Sequence, residues 1–139
     1  MRVMALDYGE ARTGVAISDA LGITAQGLES IDSNNKFKLL NRIAEIIKEY
    51  GIEKIVIGYP LNMNATIGPR AQKTDNFIKE LETRFHLEVI KIDERLTTVA
   101  SHRAMTELGI SKDKKKKIVD TMSAIYILQI YLELLIFHL

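Results

Sequence analysis

The sequence predicts an α/β domain built on a mixed sheet, and three observations predict it. Short apolar runs of strand length alternate with longer segments of helical periodicity. The first three runs, near residues 3–6, 15–17 and 28–31, are joined by short connections, the pattern of antiparallel neighbours. The later runs, residues 55–57 and 89–92, each follow a helix-length segment, the pattern of parallel additions to one sheet.

Each element has its own local signals. The first strand ends at Asp7 and turns through Tyr8, Gly9 and Glu10 into the second. Residues 35–50 place Phe37, Leu40, Ile43, Ala44, Ile47 and Tyr50 at helical spacing, with Ser33 or Asn34 as the expected N-cap and Gly51 as the C-terminal stop. Ile55, Val56 and Ile57 make a buried strand closed by Gly58, Tyr59 and Pro60, and Pro69 is placed to open a helix carrying Ile78, Leu81 and Phe85. The last strand ends at Asp93, Glu94 and Arg95. A helix capped by Thr97 or Thr98 and stopped at Gly109 follows, and a final long helix begins near Lys114. No linker and no repeat divides the chain, so residues 1–139 read as one domain.

Composition narrows the setting. The chain has 139 residues, 47% hydrophobic and 27% charged, with no cysteine and a formal net charge of +1. A domain of this size buries roughly 70% of the surface its unfolded chain exposes, so it needs no disulfide or metal staple. The lack of cysteine and of a signal-peptide pattern points to a cytoplasmic protein. The apolar tail of residues 124–139 is shorter than a spanning helix and carries Gln129, Glu133 and His138, so it reads as a buried helix and not a membrane anchor. A near-neutral net charge gives no global attraction to nucleic acid, which leaves that task to local clusters such as Lys112 with residues 114–117.

Ligands of open α/β sheets gather outside the carboxyl ends of the parallel strands. Three such exits are polar here: Asp7, the Tyr59-Pro60 exit with Asn62 and Asn64 beyond it, and Asp93-Glu94. An acid at the tip of a buried strand is costly unless paired, hydrogen-bonded or metal-bound. If the strands before Asp7 and Glu94 were parallel neighbours, the two carboxylates would converge. Asp120 adds a third acid. At about 100° per residue, Ala124, Ile127 and Tyr131 fall within about 40° of it, while Met122, Tyr126, Gln129 and Glu133 fall roughly 180° to 240° away. Asp120 therefore shares the apolar face, where a charge calls for a dedicated partner, either a basic residue or a cation. Three acids together repel one another unless a cation neutralises them. An all-oxygen donor set selects Mg²⁺ or Mn²⁺ over zinc, and His86, His102 and His138 lack metal-ligand spacing.

Four ordered blocks carry a family resemblance. They are Asp7-Tyr8-Gly9 with Arg12, Gly14 and Ala16; residues 58–64 with Thr66, Gly68, Pro69, Arg70 and Ala71; residues 93–98; and Asp120 with Ala124, Ile127, Leu128 and Gln129. In these the chain resembles the YqgF family, also called RuvX-like or Holliday-junction-resolvase-like, over nearly its whole length. It departs from the usual pattern at Ala65, Ser101 and Ser123, none of them one of the three acids. The resemblance implies an RNase H-like three-layer fold with a five-stranded sheet. It also implies an Mg²⁺- or Mn²⁺-dependent nuclease with Asp7, Glu94 and Asp120 as catalytic metal ligands. The substrate implied is the 5′ end of precursor 16S ribosomal RNA, with resolution of branched DNA as the alternative.

Flanking residues suit nucleic-acid contact. Gly9 and Gly14 would let the backbone approach a phosphate or would serve a turn needing positive φ. Arg12, Arg70 and Arg95 offer planar forks to phosphate. Asn62, Asn64 and Thr97 stand at the strand exits, and Lys114, Lys115 and Lys116 open the Asp120 helix, where the dipole favours anions over cations. A non-catalytic nucleic-acid-binding module or transcription factor is the competing class. A phosphate-binding hairpin of the actin and hexokinase kind also fits Asp7, Gly9 and Gly14, but such proteins need two domains. Junction cutting calls for a homodimer and RNA trimming for one site, so monomer and homodimer both stand.

Overall fold

A computed structural model describes residues 1–61, 64, 66–93 and 112–137, with side chains in the last stretch described for 118–136. Strand β1 (Arg2–Tyr8) and β2 (Arg12–Ser18) form a hairpin whose turn needs a glycine. A Cβ on Gly9 would lie 2.6 Å from the Arg12 carbonyl oxygen. Strand β3 (Ala25–Asp32) continues the meander, longer than its four-residue apolar signal. As an edge strand it has few buried positions to mark its ends.

Helix α1 (Lys36–Tyr50) starts at Asn35, whose side chain accepts a hydrogen bond from the Lys38 amide at 3.1 Å. Ser33 and Asn34, the expected caps, are committed elsewhere. The Ser33 hydroxyl lies 2.7 Å from that of Thr13, and the backbone N–H of Asn34 donates to the Asp32 carboxylate. Gly51 ends the helix in the left-handed region at φ 65°. The buried stripe is Leu39, Ile43 and Ile46 rather than the one expected. Leu40, Ile47 and Tyr50 flank it, whereas Phe37, roughly 160° round the helix from Leu39, is exposed.

Strand β4 (Ile52–Tyr59), helix α2 (Pro69–Phe85) and strand β5 (Val89–Asp93) complete the alternation, with Pro69 opening α2 as expected. His86 caps α2 in the left-handed region. Strand order is β3-β2-β1-β4-β5, antiparallel through β1 and parallel from β1 to β5, as the connection lengths predicted.

Alternation along the strands makes two cores. Met4, Leu6, Val15, Ile17, Ile55 and Ile57 face α1 and α2, where Phe77, Ile78 and Leu81 close the layer. Val3, Ala5, Ala16, Val56 and Ile92 face helix α3 (Lys112–Phe137), which buries Ala124, Ile127, Leu128, Tyr131 and Leu132 against them. The span Ile118–Ile136 is long and apolar enough to cross a membrane, yet here its inner face packs on the sheet. A forked pair from Arg42 to Glu29, at 3.0 and 2.6 Å, ties α1 to β3.

Candidate active site

The α3 face carries one transverse row of residues. Asp7 of β1 pairs with Gly14 of β2, and Gly14 pairs with Ser30 of β3. Asp7 continues the alternation of Val3 and Ala5, and Gly14 that of Ala16, so the row lies under α3. Asp120 sits over its centre. A Cβ on Gly14 would stand 2.0 Å from the Asp120 carbonyl oxygen and 3.1 Å from its Cα. Position 14 is therefore held to glycine by the helix crossing it, and its φ is not positive.

The wheel's prediction for Asp120 holds. Its side chain is only 19% exposed, while Gln129 and Glu133 face solvent. Of the two kinds of partner anticipated, the structure supplies the basic one. Arg12 Nε donates to Asp120 Oδ2 at 2.6 Å, and the Ser30 hydroxyl donates to the same oxygen at 3.2 Å. Arg12, taken from sequence as a phosphate contact, is thus joined to an acid 108 positions away.

The strand that carries Asp7 and the strand that precedes Glu94 are not neighbours. Strand β4 stands between β1 and β5, a lateral gap of roughly 10 Å. On β4 the residue aligned between Asp7 and Ile92 is Gly58, which carries no side chain. Glu94 itself lies outside the described residues, as do Asn62, Arg95, Thr97 and the helix expected up to Gly109. Lys114, Lys115 and Lys116 fall in the first turns of α3, and their side chains also lie outside the described set.

A second basic cluster lies at the same end of the sheet. Gly9, Tyr8, Glu10, Arg70, Lys73 and Thr74 line a shallow crevice between the β1 exit and the first turns of α2. Lys73 pairs with Glu10, and that hydrogen bond and charge hold the Glu10 carboxyl below its usual range. Sequence reasoning found Arg70 but not Lys73, although three residues further along a helix opened by Pro69 is the same face. Asn64 turns inward on its own loop, accepting from the Thr66 hydroxyl at 2.6 Å, while Leu61 and Ile67 bridge to close that loop.

On the opposite face Tyr59 donates to Asp75 at 2.7 Å, and Lys91 reaches the other Asp75 oxygen at 2.9 Å. Burial pushes the Asp75 carboxyl up, but the hydrogen bonds from Lys91 and Tyr59 outweigh it and leave it below the usual range.

Comparison with known proteins decides the family. The RuvX family, described as Holliday junction resolvase, matches residues 1–134. This chain belongs to the RuvX family. A RuvX relative from Ruminiclostridium cellulolyticum, named as a candidate pre-16S rRNA nuclease, is 57% identical over 134 residues, covering 96% of this chain and 94% of its own. The Bacillus subtilis relative, named likewise, is 46% identical over 135 residues, covering 96% and 98%. Among solved structures, the fowlpox virus resolvase bound to Holliday junction DNA aligns with a TM-score of 0.60 at 16% identity, covering 97% of this chain and 99% of that one. Thermus thermophilus RuvC with a junction substrate aligns at 0.51 and 11% identity, covering 88% and 91%. These two likenesses speak for the RNase H-like fold. RuvX proteins form a nuclease family, so the expected class, a hydrolase of phosphodiester bonds, stands.

Proposed function

We propose that this chain is a cytoplasmic, divalent-metal-dependent endonuclease that trims the 5′ end of precursor 16S ribosomal RNA, with Asp7, Glu94 and Asp120 as its metal ligands. The observation that carries this reading is the transverse row: Asp7 is the cross-strand neighbour of Gly14, and the backbone of Asp120 lies directly over Gly14. The names of the RuvX relatives support the RNA substrate.

The residues present fit a hard cation. Asp7 and Asp120 offer only carboxylate oxygens, the donors that Mg²⁺ and Mn²⁺ accept and zinc disfavours. Bound there, such a cation would lower the pKa of a water and stabilise charge on a leaving oxygen. The chain's own contribution is placement. Gly14 sets the depth of Asp120, Ser30 orients its carboxylate, and Arg12 adds a cation at the rim. Arg70 and Lys73 offer charge to a nucleic-acid backbone arriving past Gly9. The lysines at the start of α3 would extend that track, and binding would weaken steeply with salt.

The family description favours a four-way DNA junction as a second substrate. Symmetric cutting of a junction would need a homodimer, whereas end trimming needs one active site. Incubating the protein with precursor 16S RNA and with a junction, side by side in Mg²⁺ or Mn²⁺, separates the two. Cleavage of the RNA, reduced more than about 100-fold in Asp7→Asn, is the expected result, since loss of a ligand should exceed the loss of an outer-shell group. Equal activity in Asp7→Asn overturns the metal assignment. Tight RNA binding without cleavage under either metal assigns the chain to the non-catalytic class.

A further inference from the structure

We propose that Arg12 is a latch: it and a divalent cation compete for the Asp120 carboxylate, and a nucleic-acid phosphate decides the contest by drawing Arg12 away. The proposal rests on the reading of Asp120 as a metal ligand.

Among the described residues, both hydrogen bonds to the Asp120 carboxylate end on the same oxygen, and their donors come from β2 and β3. The carboxylate is thus held toward the Ser30 end of the row, with Asp7 at the other end, on β1. Coordination by a cation shared with Asp7 calls for the carboxylate to turn across Gly14, a position that itself carries no side chain. Such a turn breaks the Arg12 bond. The bond is made to be exchanged: it uses Nε alone, one of five guanidinium donors, and the Arg12 side chain is 32% exposed. Arg12 and Ser30 also border an open cavity of about 380 Å³ lined by Ala11, Asp32 and Asn34. A phosphate entering there meets an arginine fork that binds phosphate in the same two-pronged geometry as carboxylate.

Latching has a mechanistic consequence. Without nucleic acid the Arg12 charge opposes the cation. With a phosphate on Arg12, Asp120 turns to the cation, so RNA and metal each raise the other's affinity by the same factor.

The test uses the full chain, with MgCl₂ alone and an RNA oligonucleotide in EDTA as separate probes. The Arg12 Nε–Hε resonance of the wild-type protein is expected to shift with each probe, since each breaks the same bond. By calorimetry, Arg12→Gln should bind Mg²⁺ roughly two- to fivefold more tightly than wild type, the range for a part-exposed ion pair. That gain should persist at about 0.5 M salt, where the Debye length is roughly 4 Å and only a contacting charge still acts. An unmoved resonance with both probes overturns the latch, as does an Mg²⁺ affinity in Arg12→Gln equal to or weaker than wild type. Asp120→Asn separates the two readings. If it binds Mg²⁺ like wild type, the metal assignment itself fails. If it loses Mg²⁺ while the Arg12 results are negative, only the latch fails.

Discussion

The two faces of the sheet solve opposite problems with the same strands. Toward α1 and α2 the strands present Met4, Leu6, Val15, Ile17, Ile55 and Ile57, and the layer is filled by bulk. Toward α3 they present Ala5, Gly14, Ala16 and Gly27, and the helix comes down until its backbone and side chains meet the strands. Bulk provides stability that tolerates some adjustment, because side chains can repack. Backbone contact provides position with little adjustment, because a carbonyl cannot turn aside. Asp7 and Asp120 sit on the second face.

Changes on each face should therefore fail differently. Phe77 is fully buried on the α1 and α2 side and stacks on Tyr8 with centroids 4.1 Å apart. Phe77→Ala should cost about 3–5 kcal/mol in urea denaturation, by transfer and cavity terms together. The folded fraction should still bind Mg²⁺ as wild type does. Loss of metal affinity in step with stability would erase the distinction between the faces.

Gly14→Ala sharpens it from the other side. The added methyl meets the backbone of Asp120, so α3 must lift, at about 1–3 kcal/mol, an ordinary overpacking cost. Here calorimetry should show Mg²⁺ affinity falling along with stability, because the residue that moves is Asp120. Unchanged affinity would mean that Gly14 only relieves crowding.

The smallest effect belongs to the polar end of the bulky face. Asp75 is held below its ordinary range, so its contribution is complete above the unfolded value, about 4, and is lost as pH falls through the folded value. Asp75→Asn should cost about 0.5–1 kcal/mol at neutral pH, a partly exposed pair being worth no more. Denaturation at pH 7 and at an acid pH below the folded value checks the sign, since protonation removes the pair there. A difference unchanged between the two pH values would show that the charge of Asp75 is irrelevant.

Sequence periodicity reached the bulky face and half of the site. Apolar runs marked β1, β2, β4 and β5 because buried strands carry apolar side chains, and they under-measured β3 because an edge strand is mostly exposed. The wheel turned Asp120 inward correctly, since that depends only on its own helix. It could not supply Arg12, Ser30 or the reason for Gly14, which depend on how the last helix crosses the first three strands. The buried stripe of α1 was misplaced for a related reason: a wide apolar arc leaves the sheet free to choose its centre.

Asp7 belongs to β1 and Asp120 to α3, so the two can come together only after every element between them has been made. The hairpin, β3 and α1 can begin to associate through local contacts while the opposite face still waits for its cover. A nascent chain that has not yet added α3 lacks Asp120. The fold thereby withholds the pairing of Asp7 with Asp120 until α3 has been made and docked on the sheet.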